Sequence, residues 1–299
     1  MIRPPLSSPG SELKALMKEG TLCLPGAFNA LSALAAYKAG AKGVYLSGGA
    51  ITNCHLGAPD IGLMALNEMA ETAARACQAA PIPMICDADT GFGEAWNVAR
   101  TVIEMERAGL AGIHIEDQVM PKRCGHLDGK ALISSEAMEE KIRAAIAAKR
   151  DSSFQIIART DAAGVEGMSA AIKRANSYIQ AGADVIFPEG LTSEGEFAEF
   201  RQSVPGPLLA NMTEFGRTPL LSVADFEKLG YQLVMFPVSA MRVMLKAVED
   251  FYSSLLLTGT QADWIGRMRT RAELYDLIDY SSYQESGVSW TESQTSKPQ

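Results

Sequence analysis

Five consecutive residues, Lys122-Arg123-Cys124-Gly125-His126, place a thiol among two fixed cations and an ionisable imidazole. Nearby positive charge favours thiolate over thiol, so Cys124 is expected to titrate below an ordinary cysteine. Just upstream, Ile113-His114-Ile115-Glu116-Asp117 reads as a buried strand ending in two carboxylates. A tunable proton donor a few residues from two acids is equipment for acid–base chemistry, which a structural cysteine does not need. Asp87 and Asp89 are one residue apart, so in an extended segment their side chains share a side. With Glu116 from the adjacent strand, three carboxylates converge and raise one another's pKa. A hard divalent ion relieves that repulsion, and Mg²⁺ suits a few carboxylates plus water and substrate oxygens. The competing reading pairs these acids with Lys122 or Arg159, or uses them as helix caps. His114, inside an apolar strand, reads as a core histidine.

Positioning these groups requires a rigid frame, and a repeated phrase supplies one. An amphipathic helix ends near Ala-Gly or Leu-Gly and a short apolar strand follows: Ala39-Gly40 before Val44–Leu46, Ala108-Gly109 before Gly112–Ile115, Ala181-Gly182 before Val185–Phe187, Leu229-Gly230 before Leu233–Phe236. The glycine suits the left-handed residue that ends a helix. The strands lack clean alternation, as strands covered on both faces do. Thr21–Leu24, Met84–Cys86, Gln155–Ala158 and Leu208–Ala210 bring the expected strands to about eight. Eight βα units point to a (β/α)8 TIM barrel, an α/β fold. An open doubly wound sheet is the rival, but no strand runs into GxGxxG. In a barrel, chemistry sits at the C-terminal strand ends. Those ends carry Ser47-Gly48-Gly49, Asp87–Gly93, Glu116-Asp117, Arg159-Thr160-Asp161, Glu189, Asn211-Met212-Thr213 and Pro237-Val238-Ser239. Gly91 and Gly93 permit a tight turn there.

Beyond the last unit, Ile265, Met268, Leu274, Leu277 and Ile278 suggest one more helix whose apolar face packs on another subunit. Residues 1–286 then form one barrel domain with a C-terminal helical extension, and 287–299 a flexible tail.

Composition narrows the partners. The 299 residues are 47% apolar and carry a net charge of −8, which argues against a general binder of nucleic acid or acidic membrane. No run is long and apolar enough to span a bilayer, and Met1-Ile2-Arg3-Pro4-Pro5 lacks a signal-peptide core. Five cysteines without CxxC spacing fit scattered reduced thiols in a cytoplasmic protein.

Asp87–Gly93, Ile115–Gln118, Lys122–His126, Ala158–Asp161 and Asn211–Gly216 together resemble the isocitrate lyase/phosphoenolpyruvate mutase superfamily, over about residues 10 to 285. The Lys-Arg-Cys-Gly-His loop is similar to that of its carbon–carbon lyases. The resemblance implies a modified barrel whose C-terminal helix is swapped between subunits of a homotetramer. It implies Mg²⁺ on Asp87, with Asp89, Glu116 and Asp60 reaching it directly or through water. It implies a small anionic carboxylate substrate held by Ser47, Gly48, Gly49, Gly125, Arg159, Glu189, Asn211, Thr213, Arg242 and Arg271.

The expected chemistry is retro-aldol cleavage of a 2-hydroxy di- or tricarboxylate. Tyr45, by likeness to the family, takes the hydroxyl proton, and Arg159 stabilises the resulting enolate. Cys124 protonates its carbon, tuned by His126 and Lys122. Gly125 and Gly129 are hinge candidates for closure of this loop. Four rivals stand beside it: a lyase of another 2-hydroxy dicarboxylate such as 2,3-dimethylmalate, a Schiff-base aldolase on Lys122, an oxaloacetate hydrolase, and a carboxylate-binding protein without catalysis. The hydrolase branch carries a hydroxyl residue near the end of the last strand, where this chain has Pro237.

Overall fold

Each short apolar run forms a strand: β1 (Leu22–Ala27), β2 (Val44–Leu46), β3 (Met84–Asp87), β4 (Gly112–Glu116), β5 (Gln155–Thr160), β6 (Val185–Pro188), β7 (Leu209–Asn211) and β8 (Leu233–Phe236). The computed structural model describes residues 4–123 and 129–284. All pairings are parallel, in the order β6-β5-β4-β3-β2-β1-β8-β7. A parallel bridge from Ile186 of β6 to Leu208, just before β7, brings the two edges together, so the sheet is a nearly closed barrel.

The helices are α1 (Pro9–Glu19), α2 (Ala30–Lys38), α3 (Gly48–Leu56), α4 (Leu66–Ala79), α5 (Ala95–Arg107), α6 (Ser135–Ala148), α7 (Met168–Gln180), α8 (Glu194–Ser203), α9 (Val223–Leu229), α10 (Ser239–Thr258) and α11 (Arg271–Leu277). Local signals set their ends. Ser134 caps α6 by accepting from the Ala137 N–H at 3.1 Å. Gly40, Gly109, Gly182 and Gly230 all take positive φ where a helix turns into the next strand.

The period of two along the strands separates two apolar layers. Leu24, Tyr45, Ile85, Ile157, Phe187, Leu209 and Leu233 point into the barrel and pack together. Leu13 of α1 joins this inner layer, flanked by Leu16 and Met17, beside the residues that begin the strands. Leu46, Cys86, Ile113, Ile115, Ile156 and Val234 point outward, into one layer with Met69, Val98, Val102, Met105 and Ile142 of the helices. Each such side chain, fully buried, stabilises the fold by about 1.5–3 kcal/mol.

Two compact units are distinguished: Pro5–Met241 contains the barrel, and the chain from Arg242 onward belongs to the other. The latter departs from expectation. Ile265 and Ile278 do not share one helix; Ala262–Arg267 is a 3-10 turn, and α11 begins afresh at Arg271. Thr270 explains the break, because it caps α11 in a reciprocal box with Glu273. Within this unit Phe251 meets Trp264 edge-to-face at 5.6 Å, and the Arg267 guanidinium lies 4.8 Å over Trp264. Arg242 and Arg271 both belong to it. Cys124, Gly125 and His126, the expected closure of their loop and the expected tail lie outside the described residues. Among the described residues no helix is long and apolar enough to cross a membrane.

Candidate active site

The interior phase that gathers Tyr45, Ile85, Ile157 and Phe187 continues, two residues at a time, to the C-terminal strand ends. There it presents Asp87, His114, Glu116, Arg159, Glu189 and Asn211. Strand register places them side by side: Asp87 pairs with His114, and Glu116 with Arg159. A ring of charge is therefore built on rigid backbone.

Lys122 reaches into this ring. Its ammonium is almost wholly buried, 2.8 Å from Asp60 Oδ1 and in direct ion-pair contact with Asp89. Burial alone would lower its pKa, but Asp87, Glu116, Asp89 and Asp60 outweigh that and drive it well above the ordinary lysine value. Lys122 is a fixed cation. Asp87 responds similarly: burial pushes it up, and His114, Lys122, the Asp89 N–H and Arg159 bring it down to about 2. Asp89 differs, since burial outweighs Lys122 and its carboxyl rises to about 6. Glu116 is driven well above the usual carboxylate range, by burial first, despite Arg159 and Lys122. Its Oε1 is buried without a hydrogen-bond partner.

One expectation needs correction here. Asp89 is not extended beside Asp87; the strand ends at Asp87, and Asp89 has φ +48°. The chain turns so that the Asp89 N–H donates to Asp87 Oδ1 at 2.9 Å. Phe92 (φ +59°), between Gly91 and Gly93, is also left-handed. Non-glycine residues in that region carry backbone strain, which gathers at functional sites. Among the described residues, no three His, Cys, Asp or Glu side chains converge tightly enough to hold a metal ion as they stand. Asp60 and Asp89 lie on Lys122, and Glu116 on Arg159.

Arg159 is held by a two-point fork: Nε donates to Asp161 Oδ2 at 2.9 Å and Nη2 to Asp161 Oδ1 at 3.1 Å. Its Nη1 lies 3.2 Å from Glu116 Oε2 and 3.6 Å from Glu189 Oε2. The Phe187 ring supports the guanidinium from 5.2 Å. Asn211 Nδ2 donates to Glu189 Oε2 at 3.1 Å, and its Oδ1 is left without a partner. Thr213 is buried one strand-period further on.

His114 is not a satisfied core residue. Its Nε2 lies 2.7 Å from the Tyr45 hydroxyl and 3.4 Å from Asp87 Oδ1, while Nδ1 has no partner. Burial, against the pull of Asp87, lowers its pKa to about 4, so the ring is neutral at neutral pH. An orphaned buried N–H is less tolerable than an orphaned acceptor. The proton therefore belongs on Nε2, donating to Tyr45 Oη. The alternation of β4 carried this signal: His114 lies two residues before Glu116, on the same face.

Ser47, Gly48 and Gly49 open α3, whose first-turn amides have no acceptor within the helix. Space is tight at both glycines. A Cβ on Gly48 would fall 2.7 Å from Asp87 Oδ2, and one on Gly49 3.0 Å from Asp60 Oδ2. A helix N-terminus pressed this closely on two acids suits an anion or its counter-ion.

Fold and site now meet what is known of other proteins. The profile of the phosphoenolpyruvate phosphomutase family matches residues 13–256. The 2-methylisocitrate lyase of Aeropyrum pernix is 52% identical over 95% of this chain and 92% of its own, and that of Escherichia coli 46% identical over 94% and 95%. Among solved structures, a 2,3-dimethylmalate lyase superposes with TM-score 0.89 at 33% identity, covering 94% of this chain and 95% of that one. An oxaloacetate acetylhydrolase bound to 3,3-difluorooxalacetate gives 0.91 at 33% identity, over 96% and 99%. A phosphonopyruvate hydrolase complex with oxalate and Mg²⁺ gives 0.85 at 28% identity, over 93% and 97%. The chain belongs to the phosphoenolpyruvate mutase/isocitrate lyase superfamily. It is an enzyme of the carbon–carbon lyase kind.

Proposed function

We propose that this enzyme cleaves 2-methylisocitrate to pyruvate and succinate by Mg²⁺-dependent retro-aldol chemistry. The observation that carries the reading is the buried ring of Asp87, Asp89, Glu116, Lys122 and Arg159 at one end of the barrel. The identity of 52% and 46% to two 2-methylisocitrate lyases supports the choice of substrate.

The donor chemistry fits a hard cation. All candidate ligand atoms are carboxylate oxygens, both Glu116 oxygens are buried without a hydrogen bond, and burial raises Asp89 and Glu116 even against Lys122 and Arg159. Asp87 would hold the ion, with Asp89, Glu116 and Asp60 directly or through water. The Lewis-acid pull on the carboxylate and hydroxyl of the future 2-oxo acid would come from Mg²⁺ so held.

This chain's residues do the rest. The α3 amides at Gly48 and Gly49, with Ser47, receive a substrate carboxylate. Arg159, Glu189, Asn211 and Thr213 receive the remainder, together with Arg242, Arg271 and Gly125. Tyr45 takes the hydroxyl proton. Burial, then Asp87, raise its own pKa well above the ordinary tyrosine value, so the base is the minor phenolate form, its proton lost to solvent before turnover. A hydrogen bond donated by His114 Nε2 to Oη favours that phenolate. As the carbon–carbon bond breaks, the electron pair collects on the succinate fragment as an enolate. Arg159 stabilises that charge, and Cys124 delivers a proton to the carbon with His126 and Lys122 tuning it.

The rivals have less support. A Schiff-base lysine must be neutral to attack, whereas Lys122 is a buried ammonium among four acids. The oxaloacetate hydrolase reading meets Pro237 just beyond β8. Exposed Leu256 and Leu257 on α10 support a homotetramer with exchanged C-terminal helices. Scattered free thiols support a cytoplasmic setting.

The test is release of pyruvate from 2-methylisocitrate, with Mg²⁺ and with excess chelator. Turnover that chelation abolishes is expected; no pyruvate in either case overturns the reading. Replacing Cys124 by Ser should lower turnover by roughly 10²–10⁴ while substrate binding persists. Near-normal turnover would remove Cys124 from the role of acid.

A further inference from the structure

Asp161 has no assigned part in the chemistry above, yet its carboxylate takes three hydrogen bonds from two buried cations. Both of its oxygens accept from Arg159. Oδ1 also accepts from Lys130 Nζ at 2.9 Å. Its backbone N–H donates to Asp117 Oδ1 at 3.0 Å, which fixes where the carboxylate can stand. The Asp161 side chain is fully buried, and that of Lys130 is 4% exposed. Burial would raise the Asp161 pKa, but Arg159 and Lys130 bring it down to about 2, so it is an anion throughout the working range.

Consider what Arg159 would do without this arrangement. Its guanidinium faces Glu116, Glu189 and Asp161 at once. The fork on Asp161 fixes the plane of the group, leaving Nη1 as the edge turned to Glu116. A lone Asp161 anion would also cancel much of the charge that Arg159 offers a substrate. Lys130 returns that charge on the same carboxylate oxygen. The lysine stands eight residues after Lys122, which is pinned to Asp60 and Asp89. The chain between those two buried lysines includes Cys124. Both ends of that segment are thus tied by ion pairs to carboxylates of the barrel, and one of those carboxylates also aims Arg159.

We propose that Asp161 and Lys130 are a positioning pair: Asp161 sets the plane of the Arg159 guanidinium, and Lys130 ties the far end of the Cys124 segment to the same carboxylate. The proposal rests on the lyase reading above for the roles of Arg159 and Cys124. Neither residue touches substrate; both act through another group.

Steady-state kinetics with 2-methylisocitrate and Mg²⁺ on Lys130→Met, Lys130→Arg, Asp161→Asn and the Lys130→Met/Asp161→Asn double variant test the pair. Lys130→Met should lower kcat about tenfold with KM little changed, and Lys130→Arg should recover most of it. Asp161→Asn should raise KM as well as lower kcat, about 100-fold in kcat/KM, because it also frees Arg159. The double variant should lose less than the product of the two single losses, since the two residues share one ion pair. A purely structural role would shift melting temperature without this split between kcat and KM. Lys130→Met at wild-type kcat, or a double variant whose loss is the product of the singles, overturns the proposal. Affinity for oxalate in Mg²⁺, by calorimetry, separates this from failure of the lyase reading. If the wild type binds oxalate but cleaves nothing, that reading falls. The pair then still stands if Asp161→Asn weakens oxalate binding at least about fivefold, and falls if it does not.

Discussion

Glu116 and Asp117 are neighbours in sequence and equally buried, yet they live in opposite electrostatic worlds. Glu116 faces the barrel interior, lies 3.2 Å from Arg159 through one oxygen as an ion pair, and has no hydrogen-bond partner on either oxygen. Asp117 faces the helices. It accepts from Thr160 Oγ1 at 2.7 Å, from the Tyr178 hydroxyl at 2.8 Å and from the Asp161 N–H at 3.0 Å, with Arg174 Nη1 at 3.5 Å. Arg174 in turn forks onto Glu166 at 2.8 Å through two nitrogens. Buried polar groups are normally satisfied, so the side that is not satisfied is the one built for something else. Glu116 faces cations with its oxygens short of hydrogen bonds, while Asp117 holds strand to helix.

That contrast can be broken in four ways. The largest effect is expected from Glu116→Gln: turnover should fall by roughly 10²–10⁴ while thermal stability holds or rises, since an under-satisfied buried carboxylate is removed. A marked loss of melting temperature would place Glu116 with Asp117. The reverse holds for Asp117→Ala, which strands Arg174 and Tyr178 and should destabilise folding by about 3–5 kcal/mol. Denaturant unfolding checks this, with activity per folded molecule changing less than stability does; an unaltered unfolding midpoint refutes it.

The third test uses pH. His114 titrates near 4 in the fold against 6.5 when free. Between those values the unfolded chain takes a proton that the folded ring refuses, so the His114 contribution to stability falls as pH drops from 6.5 towards 4. That contribution is on the order of 3 kcal/mol across the window, and Asp89, raised to about 6, works in the opposite direction there. Replacing His114 by Gln should therefore make the wild-type-minus-variant stability difference shrink as pH drops through this window; a difference independent of pH would mean the ring is not held neutral. The smallest effect is Gly48→Ala, whose methyl group must push Asp87 aside. About a tenfold rise in KM is expected, and wild-type kinetics would show that the α3 amides receive nothing.

Much of this was legible before any coordinates. The apolar runs mark all eight strands, and the left-handed glycines mark the helix ends. Asp87, Glu116 and Arg159 stand at strand ends where a barrel keeps its chemistry. A histidine in an apolar strand reads as core unless the phase that His114 shares with Glu116 is followed. A left-handed aspartate leaves little trace in sequence, so Asp89 reads as extended. The place of Lys122 between Asp60 and Asp89 depends on three separate loops meeting at the rim. Asp161 with Lys130, 31 positions apart, depends on how the chain returns to the rim, which no local pattern encodes. The helix read across Ile265 to Ile278 failed because the Thr270–Glu273 box starts a new one.

By seating Leu13 on the starts of the strands, α1 covers with hydrocarbon an interior that Leu24, Tyr45, Ile85, Ile157 and Phe187 already fill. The cylinder is a plug and not a conduit, so a ligand approaches the charged ring from the C-terminal ends of the strands.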